Sequence, residues 1–293
     1  MQTTIVDVHN HPNWHGYTSD RLVQNMDKMG IARTWLLSWE SSTEDLDVAP
    51  QYYSCLDPRG VCLPLWMVVE GLQRHPGRLI GGWAPDPRDR HARAKLKAAV
   101  SIHGIRIYGE MKFRMRYDNQ DAIAMYRFCG DLGLPVLFHL EAPPSRLKEQ
   151  TANELAWPEW YGGDISVVDT MCRLCPKTRF IGHGPGFWRE ISAGADGSSQ
   201  VYPDGPVRSG GGVPRIMRKH ANLYADLSAG SGLNALSRDP RHARRFLTEF
   251  HDRVLFGRDG FDSRLADFLS GLGLKRTILA RLFRENALEL VPE

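Results

Sequence analysis

The chain has 293 residues, 42% of them hydrophobic and 24% charged, which is enough for a sizeable core and argues against disorder. A net charge of +3, with no long Lys/Arg block, excludes the usual nucleic-acid or anionic-membrane patch; the densest basic stretch, 238–245, is broken by Asp239 and Pro240. No stretch approaches the roughly 18–20 apolar residues of a membrane span, and residues 1–10 lack a basic segment followed by an apolar one, so the expectation is a soluble, cytoplasmic protein.

In chain order, short β-rich runs alternate with helical patterns. The runs are 4–9 (TIVDVH), 33–38 (RTWLLS), 79–84 (LIGGWA), 104–108 (GIRIY), 135–139 (PVLFH), 179–183 (RFIGH), 222–228 (NLYADLS) and 253–257 (RVLFG). Between them, 19–30 opens at a Ser/Asp cap and stops at Gly30, 89–100 and 118–133 are similar, 240–250 precedes the last run, and 275–291 is amphipathic. The link 39–65 is weakly patterned.

Eight βα units predict an α/β fold, a closed (β/α)8 TIM barrel formed by residues 1–293 as a single domain. A doubly wound sheet would carry a Gly-rich phosphate turn after the first strand, where this chain has HNHP. Residues 184–212, rich in Gly, Ser and Pro, read as a long loop after strand six. Such a loop is either a plain surface insertion or an active-site lid, and Phe187, Trp188 and Tyr202 favour the lid.

The five cysteines do not imply a disulfide framework, and Cys172 and Cys175, a lone C-x-x-C at helical spacing, read as core thiols. The histidines are more informative. His9 and His11 end the first run two residues apart, hence on one side of a strand. His139 ends the fifth run, His183 ends the sixth, and Asp259 follows the eighth. A barrel places its chemistry at the C-terminal ends of its strands. One histidine there would ordinarily be a core or loop residue, but four with an aspartate form a set suited to zinc or a similar divalent ion. Such an ion acidifies a bound water to a pKa of about 7. Of the others, His75, His91, His220, His242 and His251 read as surface, His103 lies at the wrong end of the barrel, and His15 sits where it could touch a substrate.

Together VDVHNHP, HPGRLIGGWAPDPRD, GIRIYGE, LGLPVLFHLE, FIGHGPGFW, NLYADLSAGSG, DRVLFGRDGFD and RLFRENALELV resemble the amidohydrolase superfamily along nearly the whole chain. The branch they resemble is the amidohydrolase-2 family, which includes aminocarboxymuconate-semialdehyde decarboxylase. The resemblance implies that His9, His11, His139 and Asp259 bind one divalent metal, zinc first, and that His183 hydrogen-bonds the metal water or the substrate. It implies that Asp259 shuttles a proton in hydrolysis, that the partner is a small-molecule substrate, and that the chain forms a homodimer.

Three departures bear on the substrate. The fourth run offers Arg106 and Tyr108 and no lysine at its end, which argues against a lysine-bridged pair of metals, although Glu110 leaves a two-metal variant open. Arg258 stands beside Asp259 where relatives have a small residue, and DGF replaces Asp-Tyr-Pro. Alternation should turn Arg258 away from the metal, but it could instead meet an anionic substrate. Arg106 could clamp a carboxylate or form a salt bridge inside the barrel, and Tyr108, Trp14 and Trp188 could wall the pocket or simply pack. Hydrolysis of an amide, ester or lactone is the leading expectation. Non-oxidative decarboxylation of a carboxylated aromatic or muconate-type acid, and a non-catalytic metal- or ligand-binding barrel, are the alternatives.

Overall fold

The computed structural model describes residues 4–40, 63–142, 162–195 and 200–292. The interior of the unpatterned link, residues 41–62, lies outside them.

Among the described residues there are eight parallel strands, all but the fourth at the predicted runs: β1 Ile5–Asn10, β2 Ile31–Trp39, β3 Leu79–Ala84, β4 Tyr108–Met111, β5 Val136–His139, β6 Phe180–His183, β7 Leu223–Asp226 and β8 Val254–Leu255. They pair in order as β1–β2–β3 and β4–β5–β6–β7–β8. The two groups join into a closed ring. Gly82 bridges Ile107, with Arg106 N–H donating to Gly81 O at 2.9 Å and Trp83 N–H to Ile107 O at 3.0 Å. On the other side, Val8 N–H donates to Phe256 O at 3.0 Å and Asp259 N–H to His9 O at 2.9 Å. The chain is a (β/α)8 barrel.

The outer helices are α1 Ser19–Met29, α2 Leu65–Arg74, α3 Ala92–His103, α4 Gln120–Asp131, α5 Ile165–Leu174, α6 Pro185–Trp188, α7 Gly212–Lys219, α8 Ala229–Ser237, α9 Pro240–Glu249, α10 Arg264–Gly271, α11 Arg276–Ala280 and α12 Asn286–Leu290. Their ends have local causes. Thr18, one residue before the predicted cap, accepts from Arg21 N–H, and Gly30 ends α1 in the left-handed region at φ 66°. Asn119 caps α4 by accepting from Ala122 N–H at 2.9 Å. None of the described helices is long and apolar enough to cross a membrane.

Inside the ring the strands, with Ile107 just before β4, contribute to one cluster: Val6 and Val8, Trp35 and Leu37, Ile80, Ile107, Leu137, Ile181, partly buried Tyr224, and Leu255. Residues Ala287, Leu290 and Val291, in and just after α12, pack on it. The barrel is therefore filled rather than a pore, and the polar side chains gather where this apolar plug ends. Cys172 and Cys175 are buried thiols in the outer layer.

Two expectations change. The fourth strand lies further along the chain than 104–108, so its end carries Glu110 and Lys112 rather than Arg106 and Tyr108. Lys112 is the strand-end lysine that the sequence reading placed nowhere. Residues 184–212 are not one surface loop. Their first part folds into α6 and a 3-10 turn at Arg189–Ile191, with Phe187, Trp188 and Ile191 buried in the core because they are apolar and the loop doubles back over β6. Only Val201 and Tyr202, at 41% and 51% exposure, remain placed as a lid would need; 196–199 lie outside the described residues.

A buried ion pair joins the two ends of the ring. Asp7 Oδ2 accepts from Arg258 Nε at 2.8 Å, and Asp7 Oδ1 accepts from Arg258 N–H at 2.9 Å and His9 N–H at 3.2 Å. Asn25 Oδ1 accepts from Arg258 Nη1 at 2.6 Å. Removing one partner strands a buried charge, so Arg258→Met is expected to cost about 3–5 kcal/mol in chemical denaturation. A loss below about 1 kcal/mol would show that this pair does not hold the seam.

Candidate metal centre

The site is built from strand ends. His9 and His11 come from the end of β1, Glu110 and Lys112 from β4, His139 and Glu141 from β5, and His183 from β6. Asp226 ends β7, Ser228 follows it, and Asp259 follows β8. His139 and His183 are register partners on adjacent strands.

Hydrogen bonds orient the imidazoles. His9 Nδ1 meets Asp226 Oδ2 at 2.7 Å, and His11 Nδ1 meets Leu37 O at 2.8 Å. Both oxygens only accept, so each Nδ1 carries a proton and each Nε2 turns to the centre. The Ser228 hydroxyl donates to Asp226 Oδ2 at 2.7 Å, so it accepts from His183 Nδ1 at 2.9 Å. His183 Nε2 therefore also faces inward. Gly257 permits the Asp226 arrangement, because a Cβ there would stand 2.5 Å from Asp226 Oδ1.

The inward atoms crowd together. His9 Nε2 and His11 Nε2 are 3.3 Å apart, His11 Nε2 is 3.4 Å from Glu110 Oε2, and it is 3.5 Å from Asp259 Oδ1. Asp259 Oδ1 is buried without a hydrogen-bond partner. Ligands at about 2.1 Å from a tetrahedral ion lie about 3.4 Å from each other, so this spacing fits a divalent cation. Three groupings could hold one: His9 with His11 and Glu110, His9 with His183 and Asp259, and Glu110 with His139 and His183.

Among the described residues none of these groupings joins His139 to His9, His11 and Asp259, although His11, His139 and Asp259 line one cavity. His139 instead sides with Glu110, whose Oε1 is 2.8 Å from His139 Nδ1, while His139 Nε2 is 3.1 Å from Glu141 Oε2. The cause is the alternation of β4, which puts the Glu110 carboxylate between β1 and β5.

Burial and the crowding of charge push the groups of the cluster in opposite directions. Burial opposes protonation of His9, but Asp226, helped by Asp259 and Glu110, outweighs it and raises His9 to about 10. Burial lowers His11 to about 3 against the pull of Glu110, with the His9 charge adding to the depression. Burial and the His9 charge also hold His183 well below its ordinary range. Glu110 would be raised by burial, but His139 and then His9 keep it well below the usual carboxylate range. His139 is raised despite burial and Lys112, because Glu110 and Glu141 flank it. Burial, reinforced by Glu110, lifts Asp259 to about 6 against His9.

A cavity of about 220 Å³ opens over the cluster, lined by Trp14, Trp39, Lys112, Glu141, Tyr202 and Ser231 beside the histidines and Asp259. Of the predicted substrate contacts only Trp14 lines it, its ring 5.0 Å from that of His11. Trp188 is buried and donates from Nε1 to Asp226 O at 2.8 Å. Tyr108 donates to Pro85 O at 2.9 Å, and Arg106 is half-buried before β4 begins. Arg258 borders a smaller neighbouring cavity of about 170 Å³, but its guanidinium is turned to Asp7 and Asn25. His15 is exposed against Trp14. Sequence reasoning missed Lys112, Glu141, Asp226, Ser228 and Ser231. A usable signal existed for two: Asp226 is acidic inside the apolar run NLYADLS, and Glu141 follows His139 by two residues.

The comparisons agree with this architecture. The amidohydrolase family model matches residues 6–292. The chain is an enzyme of the amidohydrolase family. No curated protein matches it. Among solved structures, a TIM-barrel protein from Bordetella bronchiseptica superposes with a TM-score of 0.66 at 16% identity, covering 98% of each chain. A dihydroxybenzoic acid decarboxylase from Polaromonas sp. JS666, with bound manganese and 2-nitroresorcinol, gives 0.61 at 16% identity over 99% of this chain and 97% of that one. A candidate 2-pyrone-4,6-dicarboxylic acid hydrolase from Pseudomonas putida gives 0.57 at 15% identity over 99% and 98%. At such identities the likeness establishes the barrel.

Asp226 orients His9 without facing the cavity, so Asp226→Asn is expected to weaken divalent-ion affinity about 10–100-fold in a competitive chelator titration. An unchanged affinity would remove Asp226 from the support of the centre.

Proposed function

We propose that the enzyme is a metal-dependent hydrolase acting on an amide, ester or lactone carbonyl of a small molecule. In this reading His9, His11 and Asp259 hold a divalent ion on one side of Glu110, and His139 and His183 complete a second position on the other. The observation that carries it is the packing of His9 Nε2, His11 Nε2, Glu110 Oε2 and Asp259 Oδ1 at ligand-to-ligand spacing, with the Asp259 atom left without a partner. Imidazole and carboxylate donors suit zinc, with manganese next. Such an ion, when bound, would supply Lewis acidity toward the carbonyl and a more acidic water.

The side chains do the rest. Asp259, buried against the cluster with Oδ1 free of hydrogen-bond partners, would accept a proton and return it to the leaving group. His183, fixed through Ser228 with its proton on Nδ1, keeps Nε2 as an electron-pair donor for the second position. Trp14, Trp39 and Tyr202 wall the cavity and limit water around the reacting carbonyl.

Hydrolysis ranks above decarboxylation because no arginine lines this cavity among the described residues, and a planar guanidinium is the natural clamp for a substrate carboxylate. Lys112 does line it, and that ammonium is the observation supporting decarboxylation as the second reading.

Chelation is expected to abolish turnover, and zinc to restore it, when a panel of amides, esters and lactones is assayed beside carboxylated aromatics. Carbon dioxide release from the aromatics with no hydrolysis would reverse the order. On the first substrate found, Asp259→Asn is expected to lower kcat at least about a hundredfold. A kcat within about threefold of the parent would remove Asp259 from proton transfer. Elemental analysis is expected to find about two ions per chain, and one or fewer after Glu110→Gln.

A further inference from the structure

The segment that carries Asp259 follows β8, and polar residues of β1 and α1 hold it from the side away from the cavity. We propose that Arg258, turned away from the centre, is a positioning residue for it. Through Asp7 and Asn25 it sets Asp259 against His9 and His11, and so controls one of the two ion positions and not the other. This rests on the reading of the centre as two ion positions and is independent of which bond the enzyme cleaves.

Asp259 has φ 46°, a left-handed conformation uncommon for a residue with a Cβ, so its surroundings must hold it there. Its chain neighbours supply the hold. Asp7 Oδ1 accepts from Arg258 N–H at 2.9 Å and from His9 N–H at 3.2 Å, so one oxygen fixes the backbone at His9 and beside Asp259. His9 O in turn accepts from Asp259 N–H at 2.9 Å. Asn10 Nδ2 donates to Gly260 O at 2.9 Å, and Asn25 Nδ2 donates to Phe261 O at 3.1 Å. Every residue from 258 to 261 is thereby tied to β1 or α1.

The Arg258 guanidinium spans these anchors, with Nε donating to Asp7 Oδ2 at 2.8 Å and Nη1 to Asn25 Oδ1 at 2.6 Å. Arg258 is 7% exposed and Asp7 is fully buried, so water does not replace either bond readily. Without the guanidinium, Asp7 keeps its charge on backbone amides alone, and 258–261 can turn so that Asp259 leaves its left-handed conformation. A ligand set tolerates displacements of only about 0.5 Å. The effect is local. His139 and His183 are register partners on β5 and β6 and meet Glu110 of β4. Among the described residues no hydrogen bond joins them to Asp7, Arg258 or Asn25.

The test counts ions rather than turnover. The zinc-loaded, full-length protein is titrated with a competing chelator, well below the thermal midpoint of each variant. The parent is expected to hold two ions. Arg258→Met is expected to weaken one about tenfold or more and to leave the other within about threefold. Adding His139→Ala to Arg258→Met should remove the ion that remains. Arg258→Lys, which restores the charge beside Asp7 without the planar fork, should recover part of the loss. If Arg258→Met does not fold, Asn25→Ala, which removes only the outer bonds, is expected to weaken the same single ion about threefold or more. Unchanged affinities, equal weakening of both ions, or a remaining ion that survives His139→Ala overturns the proposal. A parent that holds fewer than two zinc ions overturns it together with the two-position site, whereas failure to find a hydrolysed substrate removes only the hydrolase reading.

Discussion

Three imidazoles at this site each have one nitrogen occupied. His9 is held by Asp226, His11 by Leu37 O and His183 by Ser228. Their other nitrogens turn toward one another and toward Glu110 and Asp259. Electron pairs forced this close repel unless something positive lies between them. Protonation of His9, favoured by Asp226, meets part of that need, while burial keeps His11 unprotonated across a 3.3 Å gap. A divalent cation meets it more completely, and the spacing matches one.

The barrel keeps this arrangement from relaxing. β1 and the segment after β8 are linked by Val8 and Asp259 amides and by the buried Asp7–Arg258 pair, so the two walls of the centre cannot separate cheaply. Below the histidines the strands fill the interior with Val, Ile, Leu and Trp side chains, which leaves no room for the imidazoles to drop inward. Above them Trp14 and Trp39 set their rings edge-on to His11. The polar layer is thus fixed from below by packing, from the sides by backbone hydrogen bonds and from above by aromatic rings.

Most of the fold was legible because strands with an apolar interior end abruptly where chemistry begins. PVLFH and FIGH run apolar up to an imidazole, IVDVH does so but for Asp7, and those ends are where the structure puts them. The same rule misplaced β4. Its functional half, YGEM followed by Lys112, is charged and resembles a loop, so the apolar GIRIY before it drew the boundary too early. That error hid Lys112 and undervalued Glu110, and with them the grouping of His139. Alternation turned Arg258 away from the metal, as the structure has it, but its partner Asp7 lies 251 positions away, and no local pattern announces a pair closed by the barrel seam. The first part of 184–212 was misjudged by composition, since its glycines suggested a free loop while Phe187 and Trp188 were core residues.

The central claim is that the imidazoles and carboxylates surround cations shared through Glu110. Anomalous scattering from crystals grown with zinc tests it most directly. The account predicts one peak bounded by His9, His11 and Asp259 and another bounded by His139 and His183, with the Glu110 carboxylate between them. A peak elsewhere, or none at either position at saturating zinc, would contradict it.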